Sequence, residues 1–291
     1  MKRLSFLYIC LILLFSGYMG LGALELEITG GVNGLTYHPD KSRSYTDTGD
    51  TFNPYPFGLA NIGLSHDISE ALAFSVYINR DNIQQNSIYA KLKSRTDYFG
   101  FEFGPFVGIT DNFDVPDAGI SGSLEFTIPG TAFILVSGLS TLGSQFEFTS
   151  NNQREAAEAK LGIWLGSTII SFSANTRSLT REKEEFLAVT DSLTRLMGSL
   201  EFFAKNKGFS GNFDFGYQTY SRLYQRGRLE FSDELNSWFG GFGINCKLSQ
   251  PLRLKLGLEV PFLIDNDERF CVTPIFWFLS RAYAGLVYSF N

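Results

Sequence analysis

Two histidines are the first residues to consider for catalysis. His66 stands in Ser65-His66-Asp67, the residue types of a hydrolytic triad, but neighbouring side chains of an extended segment or turn do not converge on one substrate atom. His38 and Asp40 could activate a water molecule at the outer lip of a barrel, yet nothing else in the sequence supports that pair. We therefore expect no catalytic residues and no enzyme.

Metal and nucleotide chemistry also lack a matching pattern. Asp265, Asp267 and Glu268 form an acidic cluster, but the oxygen-ligand spacing of a calcium loop is absent. Gly240-Gly241-Phe242-Gly243 lies inside a predicted strand with no helix after it, so it is no phosphate-binding loop. The sequence predicts neither a metal site nor a cofactor.

The remaining candidates are charged residues that alternate with apolar ones. From Pro251 to Ile264 the even positions are all apolar, whereas the odd ones include Arg253, Lys255 and Glu259. Because successive side chains of a strand point to opposite faces, such segments predict strands with one apolar and one polar face. The same period continues from Phe99 to Ile109 and in segments further along the chain.

The charged face is predicted to line the inside of a barrel whose apolar face meets lipid. The predicted lumen-lining residues are Glu25, Glu27, Lys91, Lys93, Glu102, Glu125, Lys160, Arg177, Arg195, Glu201, Asp214, Arg253, Lys255, Glu259 and Arg281. Glu158, Lys205 and Lys247 are placed on the same face. Glu25 and Glu27 lie on the first predicted strand, which becomes adjacent to the last one when the barrel closes, and the last three strands carry the basic residues Arg253, Lys255, Arg281 and Lys247. We expect these opposed rows of charge to produce a transverse field across the pore.

A soluble β-sandwich has the same period and is the alternative. Three features favour a membrane barrel: segments of about 10–14 residues where globular strands cluster near 5–6, aromatic residues at the ends of the apolar face, and charges in mid-strand that a sandwich core excludes. The sequence thus predicts an all-β protein, a transmembrane antiparallel up-and-down barrel.

Composition excludes several other classes. The chain has 291 residues, a net charge of −6 and only 19% charged residues, with 29 Phe and 29 Gly. The acidic balance argues against a nucleic-acid partner. The mean hydropathy of −0.00 argues against a helical multi-span protein.

The first segment is predicted to be removed before folding. Met1-Lys2-Arg3 precedes the apolar run 4–15 and a stretch of small residues that ends at Ala23, which is the pattern of an export signal. The predicted organisation is a signal peptide at 1–23 and a β-barrel at 24–291.

Connections of alternating length predict about 14 strands, with 12 and 16 as neighbouring alternatives. Tight joins are expected at 67–69, 95–97, 129–130, 166–167, 206–207 and 249–250. Longer polar joins include 39–54, 110–117, 179–190, 223–234 and 265–269. Short turns are typical of the periplasmic side, so both termini are expected there. Residues 270–290 keep one phase and are predicted as a single long strand.

The end of the chain, Gly285-Leu286-Val287-Tyr288-Ser289-Phe290, resembles the aromatic-ended last strand of bacterial outer-membrane β-barrel proteins. Asn291 follows the Phe, a departure from the usual terminal aromatic. The size and strand number resemble small monomeric porins. The resemblance implies that outer-membrane lipid and, through Phe290, the barrel-insertion machinery are partners.

The functional prediction is an outer-membrane channel for passive diffusion of small polar solutes, because eight strands fill their own interior and sixteen leave an aqueous channel. One alternative is a non-conducting surface barrel whose external loops bind a host or partner ligand. A second is a conduit for hydrophobic molecules, lined by Phe106, Phe239, Leu263, Ile275 and Trp277.

Overall fold

The computed structural model describes residues 24–36, 55–110, 116–142, 152–184, 187–206, 208–226, 229–266 and 280–290. The predicted signal peptide and His38 with Asp40 lie outside these residues, as do Ile275 and Trp277. Within the described segments, no helix has the length and apolar character needed to cross a membrane.

The described residues form fourteen antiparallel strands. They are β1 (Leu24–Thr36), β2 (Tyr55–Ser69), β3 (Leu72–Asp81), β4 (Gln85–Arg95), β5 (Phe99–Ile109), β6 (Asp117–Ile128), β7 (Ala132–Thr141), β8 (Gln153–Leu165), β9 (Thr168–Glu184), β10 (Leu187–Phe202), β11 (Phe209–Arg226), β12 (Leu229–Lys247), β13 (Leu252–Asn266) and β14 (Arg281–Phe290).

Each strand pairs with its neighbours in the sequence, and the first and last strands close the barrel. β1 pairs with β14 from Leu24 opposite Phe290 to Asn33 opposite Arg281. Closure gives every strand two neighbours and leaves no open edge. The predicted up-and-down barrel of fourteen strands is therefore confirmed.

Strand alternation separates an outward apolar face from an inward face. On β5, Phe101, Phe103 and Val107 are exposed large hydrophobic residues, while Gly104 and Phe106 between them are buried. The outward face of the other strands carries a belt of similar residues, including Ile28, Leu124, Phe172, Leu196, Phe213, Leu258 and Leu286. A soluble protein would bury such a surface, whereas a lipid bilayer requires it.

At one end of the barrel every connection is six residues or shorter, whereas at the other end the connections range from two to eighteen residues. The turns at the first end are 70–71, 96–98, 129–131, 166–167, 203–208 and 248–251, and the opposite end has connections at 37–54, 82–84, 110–116, 142–152, 185–186, 227–228 and 267–280. Two of the tight turns contain glycines with positive φ, Gly130 and Gly166, a conformation that suits glycine in particular.

We call the interior next to the first set of turns the turn half and the opposite interior the loop half.

Three predicted boundaries were wrong. The joins expected at 179–190 and 223–234 lie mostly within paired strands, because β9 with β10 and β11 with β12 continue to connections at 185–186 and 227–228. Pairing with a neighbour satisfies the backbone of polar residues as well as that of apolar ones, so a charge-dense segment can still be a strand. The turn expected at 67–69 follows at 70–71, since β2 runs to Ser69.

The last strand is shorter than predicted. β14 begins at Arg281, and Ser280 before it is not in a strand. Most of the rest of the predicted long strand, 270–279, lies outside the described residues. The predicted phase holds over 282–290, where Leu286, Tyr288 and Phe290 are exposed.

Candidate functional site: the interior of the barrel

The predicted lumen residues share the inward face of the barrel. They alternate with the exposed apolar belt, and several contact residues two or more strands away, which only inward side chains can do. Arg195 on β10 reaches Glu259 on β13 (2.8 Å). Lys160 on β8 lies 5.8 Å from the centre of the Phe133 ring on β7, and Glu201 shares the phase of Arg195 on β10. Lys205 instead lies in the exposed turn after β10, 5.3 Å from the Trp164 ring.

In the turn half, charges form pairs that remain partly exposed. Arg253 on β13 reaches over β14 to Glu25 on β1 (3.0 Å), and Lys255 reaches Glu27 in the same way (2.9 Å). The side chains of Arg253 and Glu25 are 43% and 40% exposed. The predicted adjacency of the first and last strands brings these residues into direct ion pairs on one wall, so they do not form opposed rows on two sides of a pore.

The other wall of the turn half repeats this arrangement. Glu102 on β5 lies 2.6 Å from Lys91 and 3.3 Å from Lys93 on β4. Glu125 on β6 lies 3.3 Å from Arg95. Asp214 on β11 accepts hydrogen bonds from the Ser199 hydroxyl and the Asn212 amide, both at 2.5 Å. The turn half thus presents both signs of charge to a partly accessible interior.

In the loop half, a buried ion pair joins β8 to β6. Arg154 Nε donates to both carboxylate oxygens of Asp117 at 2.9 Å. The two side chains are 0% and 2% exposed. Gly108 on β5 makes room for the pair, since a Cβ there would lie 2.0 Å from Arg154 Nε and 2.3 Å from Asp117 Oδ1. The loop half is packed like a protein core at this point.

The turn between β3 and β4 makes contacts with the opposite wall. Asp81 Oδ1 accepts the backbone N–H groups of Ile83 (2.8 Å) and Gln84 (2.7 Å), which fixes the turn. Its other oxygen, Oδ2, accepts from Arg177 Nη1 on β9 at 3.4 Å. The Gln84 amide donates to the carbonyl oxygen of Glu155 on β8 at 3.0 Å. Ile83 is only 1% exposed. This turn therefore narrows the interior in the loop half.

Arg177, which contacts that turn, belongs to a group of three inward arginines. The Arg195 guanidinium lies 4.0 Å from the centre of the Phe239 ring and 2.8 Å from Glu259. Arg281 is directly opposite Glu259 in the register of β13 and β14 and lies 5.1 Å from the Tyr283 ring. Arg177 and Arg195 both lie close enough to Arg281 for their positive charges to repel its guanidinium group. We call Arg177, Arg195 and Arg281 the arginine cluster.

A second buried group lies further toward the loop end. Asp191 on β10 accepts from Arg222 Nε (2.5 Å), from the Tyr220 hydroxyl (2.6 Å) and from Arg181. Arg181 falls in the polar join predicted at 179–190 and Arg222 directly precedes the one predicted at 223–234, but both residues belong to the extended hairpins of paired strands. Both are less than a tenth exposed.

Sequence reasoning also missed Arg154, Asp117 and Asp81. The position of Arg154 could have been predicted, because it lies an even number of residues from Lys160 on β8 and its side chain therefore points to the same face. Asp117 was placed at the end of a loop and Asp81 just beyond a strand, so neither was assigned to a face. Of the apolar residues expected for a hydrophobic conduit, Phe106 and Phe239 point inward and are buried, but Leu263 is 74% exposed at a bulge in β13.

The catalytic and metal candidates do not assemble a site within the described segments. Ser65 and His66 alternate along β2, so their side chains leave on opposite faces. Among the described residues, no group of three or more His, Cys, Asp or Glu side chains could hold a metal ion. Cys246, on the outward phase of β12, is a free thiol.

No protein-family model matches the chain, and no curated protein matches it. An outer membrane channel from Pseudomonas putida F1 is similar in structure, with a TM-score of 0.50 and 10% identity over 94% of this chain and 98% of that one. OmpT, an outer membrane protein of Vibrio cholerae, is similar at a TM-score of 0.42 and 8% identity over 92% and 96% of the two chains. With its closed ring of fourteen strands and its apolar belt, this chain has the fold of outer-membrane β-barrel proteins.

Proposed function

We propose that this protein is an outer-membrane channel through which small hydrophilic solutes diffuse passively. The observation that carries the proposal is the turn half, where pairs such as Arg253 and Glu25 keep about four tenths of each side chain exposed. Charged side chains in a barrel need water or partners. Partly exposed pairs of both signs suit a wet vestibule that admits polar solutes.

The proposal includes a location and an orientation. Export by the segment at 1–23, followed by insertion with the turn end toward the periplasm, would set the apolar belt in the bilayer. The barrel-insertion machinery would recognise β14, whose Phe290 is exposed and packs edge-on against Tyr288 with ring centres 4.7 Å apart. Outer-membrane lipid would then cover the belt.

The loop half would set the rate of diffusion. The contacts of the β3–β4 turn with Arg177 and Glu155 cross the interior where a solute would have to pass. A narrow constriction lined by arginines and carboxylates favours small polar molecules over large ones. We therefore expect a low conductance and exclusion of oligosaccharides.

The test is single-channel recording of the refolded mature chain, residues 24–291, in a planar lipid bilayer. Folding is checked first by a heat-dependent shift in gel mobility. Steady current steps that decrease when sugars of increasing size are added would support the proposal. Folded protein that produces no steps, both at neutral pH and under high voltage, would overturn it.

One observation favours a second candidate, a surface barrel that binds a partner through its external hairpins. Beyond Leu196 the outward residues of β9 and β10 become polar, with Thr176 bonded to Thr194 (3.2 Å) and Thr180 to Thr190 (2.9 Å). On β11 and β12, Thr219 donates to Asn236 (2.7 Å). These strands extend past the apolar belt as a paired sheet. Removing residues 178–192 as a hairpin tip and measuring binding to partner cells would test it.

A further inference from the structure

We infer that the arginine cluster is a binding site for small anionic solutes bearing a carboxylate or phosphate group. The inference rests on the proposed channel and adds the class of solute that it selects.

Positive charge is in excess in the loop half alone. Among the described inward side chains there, arginines outnumber carboxylates. The six arginines are Arg154, Arg177, Arg181, Arg195, Arg222 and Arg281, and the five carboxylates are Asp81, Asp117, Glu158, Asp191 and Glu259. In the turn half the two signs nearly balance. An anion entering from either side would meet its most favourable potential at the loop-half constriction.

Among the described residues, unused donors lie in the cluster and elsewhere in the loop half, where Arg154 Nη1, Arg154 Nη2 and Arg181 Nε are also buried without an acceptor. Within the described part of the chain, the Nε atoms of Arg177, Arg195 and Arg281 are buried without a hydrogen-bond acceptor. A buried guanidinium N–H that lacks an acceptor is unfavourable. A carboxylate or phosphate supplies several acceptor oxygens in a geometry that matches the guanidinium fork.

The cluster is also held in place before any ligand binds. Arg195 lies between the Phe239 ring and Glu259, Arg177 is tied to Asp81, and Arg281 lies beside the Tyr283 ring. Fixed donors lose less entropy when an anion binds than flexible surface lysines do. Because Glu259 lies next to two of the arginines, binding remains weak enough for release, as a channel requires.

Two measurements test the inference. The reversal potential in a KCl gradient reports ion selectivity, and block of the KCl current by succinate or inorganic phosphate reports binding. The variants are R195Q and R281Q. R253Q in the turn half is the matched control, since it removes the same charge from a partly exposed pair. We expect the unmodified channel to prefer chloride and to be blocked by succinate.

In R281Q and R195Q we expect the reversal potential to move toward that of potassium and the blocking concentration of succinate to rise about tenfold or more. R253Q should change both values much less. A conducting channel that prefers potassium would contradict the proposed anion site, as would equal changes in reversal potential and succinate block in R281Q and R253Q. Neither result would contradict the proposed channel function.

If folded protein does not conduct, the proposed function fails, but the site remains testable by calorimetric titration of succinate into the detergent-solubilised barrel. Heat of binding that R281Q abolishes and R253Q preserves would support the site without a channel. Absence of succinate and phosphate binding to the unmodified protein would overturn it.

Discussion

In the turn half, Arg253 and Glu25 lie 3.0 Å apart with 43% and 40% of their side chains exposed, whereas in the loop half Arg154 and Asp117 lie 2.9 Å apart with 0% and 2% exposed. The distances are nearly equal, but the surroundings differ. Water screens the first pair and lets each ion keep part of its hydration. The second pair has given up its hydration and depends on its partner. The distance between two charged groups therefore does not by itself indicate how much their contact contributes to the free energy of unfolding.

The contrast separates two tasks within one barrel. The turn half keeps partly exposed charges of both signs on its wall, while the loop half packs side chains from distant strands against each other. Because the same alternation of apolar and polar residues generates both halves, the difference arises from the β3–β4 turn and the long arginine side chains that fill the loop half.

The largest expected effect is on stability, from Arg154→Ala. Removing Arg154 leaves the Asp117 carboxylate buried without its partner, which costs roughly 3–5 kcal/mol when a buried pair is broken on one side. The free energy of unfolding can be measured by urea titration in lipid vesicles with tryptophan fluorescence.

Arg253→Ala is the matched control and is expected to cost about 1 kcal/mol or less, because its pair is exposed. Equal losses in the two variants would remove the proposed difference between the halves. The double variant R154M/D117L should be more stable than R154A, since it leaves no unpaired charge.

The next effect is on conductance, from Asp81→Ala. This change removes the acceptor of the Ile83 and Gln84 N–H groups and the partner of Arg177. The β3–β4 turn then keeps the Gln84–Glu155 hydrogen bond to the opposite wall but loses its contact with Arg177 and the bonds that fix its shape. We expect the single-channel conductance to rise about twofold or more as the constriction widens.

Glu27→Ala removes the same charge from the turn half and should leave the conductance nearly unchanged. A D81A channel that conducts no better than E27A would show that the β3–β4 turn is not the narrowest point of the pore.

The strands and the inward face could be anticipated from alternation, whereas the contrast between the two halves could not. The alternation of residues 251–264 and 99–109 predicted the strands, the inward face and the closed barrel. It also contained the signal for Arg154, which shares the phase of Lys160. The pairing of Arg154 with Asp117 and of Arg177 with Asp81 joins strands far apart in sequence, so no local pattern encodes it. The full length of the strands β9, β10, β11 and β12 was not predicted, because the charged residues near their ends resemble those of a loop. The threonines in the same segments favour strands.

A smaller effect is expected from Gly216→Ala on β11. A Cβ at this position would lie 2.3 Å from the carbonyl oxygen of Leu196 and 2.7 Å from Phe239 Cζ, so the ring beneath Arg195 must move. Overpacking of this kind costs about 1–3 kcal/mol, measured by the same urea titration. Gly100→Ala in the turn half, where the nearest atom would be 3.6 Å away, should stay within about 0.5 kcal/mol of the unmodified protein. A loss in G100A as large as that in G216A would show that the wall around Gly100 is packed as tightly as the wall around Gly216.

The smallest effect should come from Lys255→Gln in the turn half. Lys255 lies 2.9 Å from Glu27, and the two side chains are 33% and 27% exposed, so the pair should contribute about 1 kcal/mol or less. Because exposed pairs are screened by salt, the difference between K255Q and the unmodified protein should shrink further at about 1 M NaCl. A difference that stays constant with salt would indicate that the pair is shielded from water. The turn half would then resemble the buried Arg154–Asp117 pair, and the case for a wet vestibule would lose its main support.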